Sequence, residues 1–106
     1  MSEPDFNFLS LPDYLLAEIE KRVIVLQSEL RHRNPVTLID PLQRLTRVRG
    51  NFAFDLISSI AWAAEVVCKD AVQNARDLTP VEVRALANAF ESMERARRTA
   101  ILSAAA

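Results

Sequence analysis

The side chains that could support chemistry are few and lie far apart in the sequence. His32, the one histidine, stands between two arginines, with no second imidazole or thiol close enough to complete a zinc ligand set. Cys68, Ser58 and Ser59 have no base within one helical turn, and a catalytic nucleophile needs one. A single glycine excludes a glycine-rich phosphate loop. We therefore expect no enzyme, no metal, no cofactor and no small-molecule substrate.

The composition predicts one ordered, soluble domain over residues 1–106. Half of the residues are hydrophobic, and 13 basic against 14 acidic side chains give a net charge of −1, which favours neither nucleic acid nor an anionic membrane. One cysteine cannot form an intrachain disulfide, so we expect a reduced, cytoplasmic setting. The N-terminus begins acidic, unlike a signal peptide. Asp55 and Glu65 interrupt the apolar run, so we predict no membrane span.

The most apolar stretch, residues 52–76, predicts a central helix. At about 100° per residue its polar side chains gather on one side, and an apolar arc covers about half of the circumference. The arc contains Phe54, Leu56, Ile57, Ile60, Ala64, Val67, Cys68, Ala71 and Val72. A surface helix needs an apolar stripe of only about 100°. Two or more neighbouring elements should therefore contact this helix.

A first helix, α1, should begin near Ser10, where proline and aspartate follow a capping serine, and should run to about Arg33. Its apolar residues repeat at intervals of three and four, a narrow seam that can pack lengthwise on another helix. We call this set the α1 seam: Leu16, Ile19, Val23, Leu26 and Leu30. Because few helices are available to cover so much apolar surface, we expect association through the α1 seam or the central helix to complete the core, and we assign the α1 seam to a homodimer interface.

Three further signals divide the rest of the chain. Asn34 and Pro35 should end the first helix, and Asp40 followed by Pro41 should start a short second one. Gly50 beside an asparagine predicts a break, although the apolar register could also run straight through it.

The last helix has the clearest start signal. Thr79 and Glu82 have the spacing of a capping box, with Pro80 at the first helical position. This helix should run to about Ser103, and its inward residues should be Val83, Leu86, Phe90, Met93 and Ile101. The sequence thus predicts an all-α fold, an elongated and dimeric bundle of three long helices and one short helix, with residues 1–9 as an N-terminal arm.

Three features of the sequence favour a protein partner. Trp62 and Val66 lie on the polar side of the central helix, where another helix or the arm could also cover them. Arg97 lies on the apolar face of the last helix, where it must extend to solvent, pair with an acid or meet another chain. The arm carries Phe6, Phe8 and Leu9, which either pack over the bundle or dock on a partner.

A cluster of arginines supports an alternative function. Five of them lie within nineteen positions that contain one acid, Asp40: Arg31, Arg33, Arg44, Arg47 and Arg49. Such a cluster could bind phosphates in a DNA-binding or nucleoid-associated helical dimer, and the surrounding pattern resembles a helix-turn-helix. However, the helix that would read bases begins with apolar and acidic turns. The arginines could equally pair with acids of a partner or of the first helix.

The hypothesis that fits these features best is a small helical regulatory protein that binds and masks another protein. A purely structural helical subunit or chaperone is a third possibility.

The chain resembles the QslA-type bacterial quorum-sensing anti-activators. The features that it shares with them are an arginine-rich, lysine-poor composition, alanine-rich helices and the segment PDFNFLSLPDYLLAEIEKRV before a capped bundle. The resemblance concerns size and helical plan, and it transfers no individual residue. It implies a homodimer that binds the ligand-binding domain of a LuxR-type transcription activator and occupies that activator's own dimer surface.

Overall fold

The computed structural model describes residues 11–48 and 52–105, which form four helices and no strand. In chain order these are α1 (Leu11–Leu30), α2 (Val36–Leu45), α3 (Phe52–Gln73) and α4 (Pro80–Ala105), with 20, 10, 22 and 26 residues. The all-α prediction is confirmed. The predicted arm, residues 1–9, lies outside the described residues.

The helices form a ring of neighbours in which α1 packs on α2, α2 on α3, α3 on α4 and α4 on α1. The loop after α1 and the loop after α3 meet at one end of the bundle, where the Leu78 N–H donates to the Arg33 carbonyl at 3.0 Å. Because these loops share an end, α1 and α3 run in one direction and α2 and α4 in the other. The prediction that the central helix has two neighbours is confirmed, since α3 contacts both α2 and α4.

The core lies inside this ring and includes the α1 seam. All five seam side chains are buried against the chain's own helices, with 0 to 7% of their surface exposed. They pack in one cluster with Leu42 of α2 and with Phe90 and Met93 of α4. The seam assigned to a homodimer interface is therefore covered within one chain, and a second copy would have to use another surface.

The start of α2 differs from the prediction. The helix begins at Val36, whose N–H donates to Asn34 Oδ1 at 3.0 Å, and Thr37 Oγ1 donates to the Asn34 carbonyl at 3.1 Å. Pro41 lies inside α2 and is buried, so the start predicted at Asp40 is wrong. An asparagine just before the helix satisfies free N–H groups earlier in the chain than Asp40 could.

The predicted break between the second and third helices is present. Helix α2 ends at Leu45, and the chain turns through Thr46 before α3 begins at Phe52. Ser58 of α3 donates through Oγ to the Thr46 carbonyl at 2.6 Å, which holds α3 against the end of α2. Gly50 itself lies outside the described residues.

Helix α3 ends with a recognisable motif before the 74–79 loop, and helix α4 begins with another after it. At the end of α3, the Arg76 N–H donates to the Ala71 carbonyl and the Ala75 N–H donates to the Val72 carbonyl, the two bonds of a Schellman motif. At the start of α4, the Thr79 N–H donates to Glu82 Oε1 at 2.9 Å, and the Glu82 N–H donates to Thr79 Oγ1 at 3.1 Å. The predicted capping box is confirmed.

The predicted inward faces need five corrections. Leu56 and Val72 of the apolar arc and Ile101 of α4 are about 40% exposed, whereas Ser58 and Glu65, placed on the polar side, are only 8% exposed. Glu65 turns toward α2, where the Gln43 side chain helps to lower its pKa. The short α2 therefore determines which part of α3 is covered. Over the described residues, none of the helices combines the length and the apolar character needed to cross a bilayer.

Candidate protein-binding surface

The outward side of α3 is an apolar surface without charge over more than three turns. Between Asp55 and Lys69 the only charged residue is Glu65, which is buried. We call the exposed side chains of this stretch the α3 face: Leu56, Ser59, Trp62, Ala63 and Val66. Charged residues are depleted and aromatic residues enriched at the centres of protein interfaces. The composition of the α3 face is therefore that of an interface centre.

Trp62 is the most prominent member of the α3 face. Its side chain is 64% exposed, and Val66, one turn further along, is 49% exposed. Both residues lie on the outside of the bundle, as predicted from the wheel, and no helix of the described chain covers them. A cleft of about 270 Å³ lies beside the indole, lined by Thr46, Ser58, Ser59 and Trp62 itself. Trp62 thus presents a large apolar ring with a recess next to it.

A shallow groove runs along the other edge of the α3 face, between α3 and α4. It has a volume of about 350 Å³ and is lined by Ile60, Ala63, Ala64, Val67, Ala85, Leu86, Ala89 and Ser92. Five of these eight side chains are alanine or serine, and small side chains at a contact allow two helices to approach closely. The groove was not predicted. The recurrence of small residues at intervals of three and four in 85–92 is the signal that could have revealed it.

The acidic group beside the α3 face is neutralised within the chain. Lys69 Nζ lies 2.8 Å from Glu65 Oε2. The hydrogen bond from Lys69 holds the pKa of Glu65 below its ordinary value, with help from Gln43 and against the effect of burial. Glu65 is therefore ionised and paired.

Arg97, the third residue predicted to bind a partner, is engaged inside the bundle. Its guanidinium lies 3.2 Å from Glu20 of α1 and also pairs with Glu94, and only 11% of its side chain is exposed. The guanidinium hydrogen bond lowers the pKa of Glu94. Of the three possibilities open to Arg97, pairing with an acid is the one observed. The remaining predicted contacts, Phe6, Phe8 and Leu9, lie outside the described residues.

The arginine cluster of the alternative function is divided in space. Arg31 and Arg33 lie before α2, whereas Arg44 and Arg47 lie at its far end. Arg44 is the ninth residue of the ten-residue α2, so most of that helix, about 12 Å from Val36 to Arg44, lies between the two pairs. Arg33 Nε donates to the Leu78 carbonyl at 3.2 Å, and Arg44 pairs with Asp40 at 3.2 Å. Arg49 lies outside the described residues.

The side chains considered for chemistry, Cys68, Ser58 and His32, are a buried thiol, a hydroxyl bonded to the backbone and an exposed imidazole. Burial raises the pKa of the Cys68 thiol to about 11, which keeps the thiol protonated. Ser58 donates to a backbone carbonyl, and His32 is exposed in the turn after α1. In residues 11–48 and 52–105, no three side chains of histidine, cysteine, aspartate or glutamate converge on a point where a metal ion could bind.

Comparison with protein-family models, with curated proteins and with solved structures gives no match to this chain. The α3 face and the adjoining groove are accordingly interpreted from their own geometry.

Proposed function

We propose that this chain is a small helical regulatory protein that acts by binding and masking another protein. The observation that carries the proposal is the α3 face, an uncharged surface with Trp62 at its centre and 64% of that side chain exposed. Tryptophan is enriched among the residues that contribute most to binding energy. Covering an indole and its neighbours with a partner removes apolar area that the isolated chain leaves in water.

The shape of the surface favours a helical partner element. Trp62 and Val66 form a ridge, and the groove lined by Ala63, Ala85 and Ala89 runs beside it. An amphipathic helix of the partner can place one apolar row in such a groove while its next row contacts the ridge. This mode of recognition requires no catalytic group in the chain and no cofactor.

The resemblance to quorum-sensing anti-activators supplies the class of partner. We propose that the partner is a LuxR-type transcription activator, that the chain binds its ligand-binding domain, and that the complex blocks the activator's own dimerisation. We further propose a cytoplasmic homodimer in which each subunit is a bundle of three long helices and one short helix. The α3 face is the part of the surface suited to replace an apolar self-association contact.

The DNA-binding alternative has less support. The two arginine pairs at opposite ends of α2 do not form one continuous patch, and Arg33 and Arg44 already have partners within the chain. A protein that neutralises several phosphates loses affinity steeply as salt increases. A complex formed through the α3 face should change little between about 50 and 200 mM salt, where phosphate binding would fall by orders of magnitude.

The central experiment measures binding of the purified chain to the ligand-binding domain of a LuxR-type activator by titration calorimetry. Trp62→Ala should weaken binding by about 30-fold or more, the effect of losing about 2 kcal/mol at an interface centre. Ile24→Ala is the matched control, because Ile24 is 58% exposed on α1, away from the α3 face. The control should bind like the wild-type chain.

A second variant tests the contribution of the predicted arm. Deletion of residues 1–9 should weaken partner binding and leave the helical content unchanged, as measured by circular dichroism. If both Trp62→Ala and the deletion bind normally, the surface assignment is wrong. If the wild-type chain binds no activator domain but retards DNA in a gel with a steep salt dependence, the alternative function replaces the proposed one.

A further inference from the structure

The exposed edge of α3 carries a second pattern, which is organised by charge. Six exposed residues recur at intervals of four and three, the spacing of a coiled-coil seam. We call them the α3 seam: Asp55, Ser59, Trp62, Val66, Lys69 and Gln73. An acid stands near its N-terminal end, a base near its C-terminal end, and tryptophan midway between them, seven residues from each.

Because of this order, the charges of the α3 seam are complementary to those of a second, antiparallel copy of the same seam. Seven residues of helix span about 10.5 Å, so Asp55 and Lys69 lie at equal distances on either side of Trp62. Two antiparallel copies related by a two-fold axis near Trp62 therefore place each Asp55 opposite the other chain's Lys69. The two indoles meet at the axis, next to Val66. A two-fold interface uses the same surface on both subunits, and this surface satisfies that requirement.

The surrounding charges are compatible with this arrangement. Asp55 has no partner among the described residues, and the Lys69 side chain is 52% exposed although it contacts Glu65. Asp70, beside the seam, is paired with Arg76 at 3.2 Å, so its charge is already partly offset. Parallel copies in the same register would instead bring Asp55 against Asp55 and Lys69 against Lys69. The charge pattern therefore selects the antiparallel orientation.

We propose that the α3 seam binds a second copy of this chain in an antiparallel, two-fold symmetric pair centred on Trp62. The seam from Asp55 to Gln73 is about 27 Å long, so the area that it buries lies at the low end of specific interfaces. The pair is accordingly a reversible, concentration-dependent dimer. The proposal builds on the proposed function in one respect: a partner protein that uses Trp62 must first displace the second copy.

Sedimentation equilibrium of the purified chain tests this pairing without any partner protein. The wild-type chain should shift from monomer to dimer as its concentration rises, and emission from Trp62, the only tryptophan, should shift to shorter wavelength over the same range. Asp55→Lys places two like-charged pairs in the dimer and should raise its dissociation constant about tenfold. Glu91→Lys reverses an exposed acid on α4 and should dimerise like the wild type.

Mixing variants tests the charge pairing, and cross-linking tests the orientation. Asp55→Lys and Lys69→Glu should each associate weakly alone, and an equimolar mixture should recover a dimer, because each chain then faces opposite charges. Since Lys69→Glu also removes the intrachain contact to Glu65, oxidative cross-linking of Asp55→Cys with Lys69→Cys gives an independent measure. Native Cys68 does not compete, because it is buried and its thiol stays protonated.

The proposal is overturned by a wild-type chain that stays monomeric up to about 1 mM, a concentration at which weak but specific pairs are populated. It is also overturned by an Asp55→Lys chain that dimerises like the wild type, or by Asp55→Cys cross-linking to itself rather than to Lys69→Cys. Dimerisation through the seam without capture of an activator domain would contradict the proposed function alone. Capture through Trp62 by a chain that never dimerises would contradict this inference and the proposed homodimer, and would leave the masking of a partner in place.

Discussion

Arg33 and Leu78 are joined by two hydrogen bonds across 45 positions of sequence. The Arg33 Nε donates to the Leu78 carbonyl at 3.2 Å, and the Leu78 N–H donates to the Arg33 carbonyl at 3.0 Å. Leu78 is fully buried, and Arg33 has a positive φ of 59°. The pair joins the loop after α1 to the loop after α3, so an arginine of the alternative phosphate-binding cluster is a structural link.

Arg33→Ala should lower the free energy of unfolding by about 1.5 kcal/mol, because it leaves the buried Leu78 carbonyl with one hydrogen bond fewer from a charged donor. Arg31→Ala is the control, since Arg31 is exposed two positions earlier. The control should change stability by no more than about 0.5 kcal/mol. Urea unfolding measures both variants, and equal effects would show that the link to Leu78 contributes nothing.

Ala75→Gly should stabilise the chain by about 1 kcal/mol. Ala75 lies two residues after the end of α3 and has a φ of 50°, a left-handed conformation in which a Cβ atom is unfavourable and glycine is not. Ala63→Gly gives the opposite comparison: Ala63 lies within α3 and is exposed, so loss of its Cβ should destabilise by about 1 kcal/mol. Thermal unfolding of the two variants should therefore shift in opposite directions.

Glu82 should make stability depend on pH in the acid range. The hydrogen bond from Arg76, followed by that from the Thr79 N–H, lowers the pKa of Glu82 from 4.5 to about 2. Because the folded pKa is the lower one, the unfolded chain takes up the proton first as the pH falls. The stabilisation is thus complete above pH 4.5 and is lost between pH 4.5 and about 2.

The measurement for Glu82 compares urea midpoints at neutral and acid pH. Glu82→Gln retains an acceptor for the Thr79 N–H and does not titrate, so the difference between the two midpoints should shrink. Glu91→Gln changes an exposed acid on the same helix and should leave that difference as it is in the wild type. A Glu82→Gln chain with an unchanged acid response would refute the assignment.

Arg97→Ala should reduce stability by about 1 to 2 kcal/mol, because it leaves the half-buried Glu94 without its main hydrogen-bond donor and removes the bridge to Glu20. Trp62→Ala should change stability little, since its side chain is already in water. Unfolding and binding measured on the same two variants separate their roles. A stable Arg97→Ala chain with impaired partner binding would restore Arg97 to the binding surface.

Local signals in the sequence predicted the helices well where short-range contacts determine them. The Thr79 and Glu82 capping box depends on atoms three residues apart, and it was correct in each detail. Trp62 lies on the side of α3 where helical periodicity placed it, and its exposure there decides a question that the sequence left open. Pro41 misled the prediction, because a proline can lie inside a helix that another residue, Asn34, has already started.

The remaining errors concern which neighbour covers which face. A helical wheel gives the direction of Leu56 or Glu65 from the axis of its own helix. It does not show where the ten-residue α2 ends, and that end determines which side chains of α3 are covered. The α1 seam was assigned to a second copy, whereas the chain's own ring of four helices encloses it. The spacing of apolar residues within one helix does not reveal such a ring. The α3–α4 groove required the same three-dimensional knowledge, since its lining comes from two helices, from residues 60–67 of α3 and residues 85–92 of α4.

The pairing of Glu20 with Arg97 sets α1 and α4 side by side in opposite directions. Leu11 and Ala105 consequently emerge at the same pole of the molecule, away from the Arg33–Leu78 link. A donor fluorophore near one of these positions and an acceptor near the other would be close neighbours in the native bundle. Loss of energy transfer between them would report unfolding directly, with the tryptophan left free to report association.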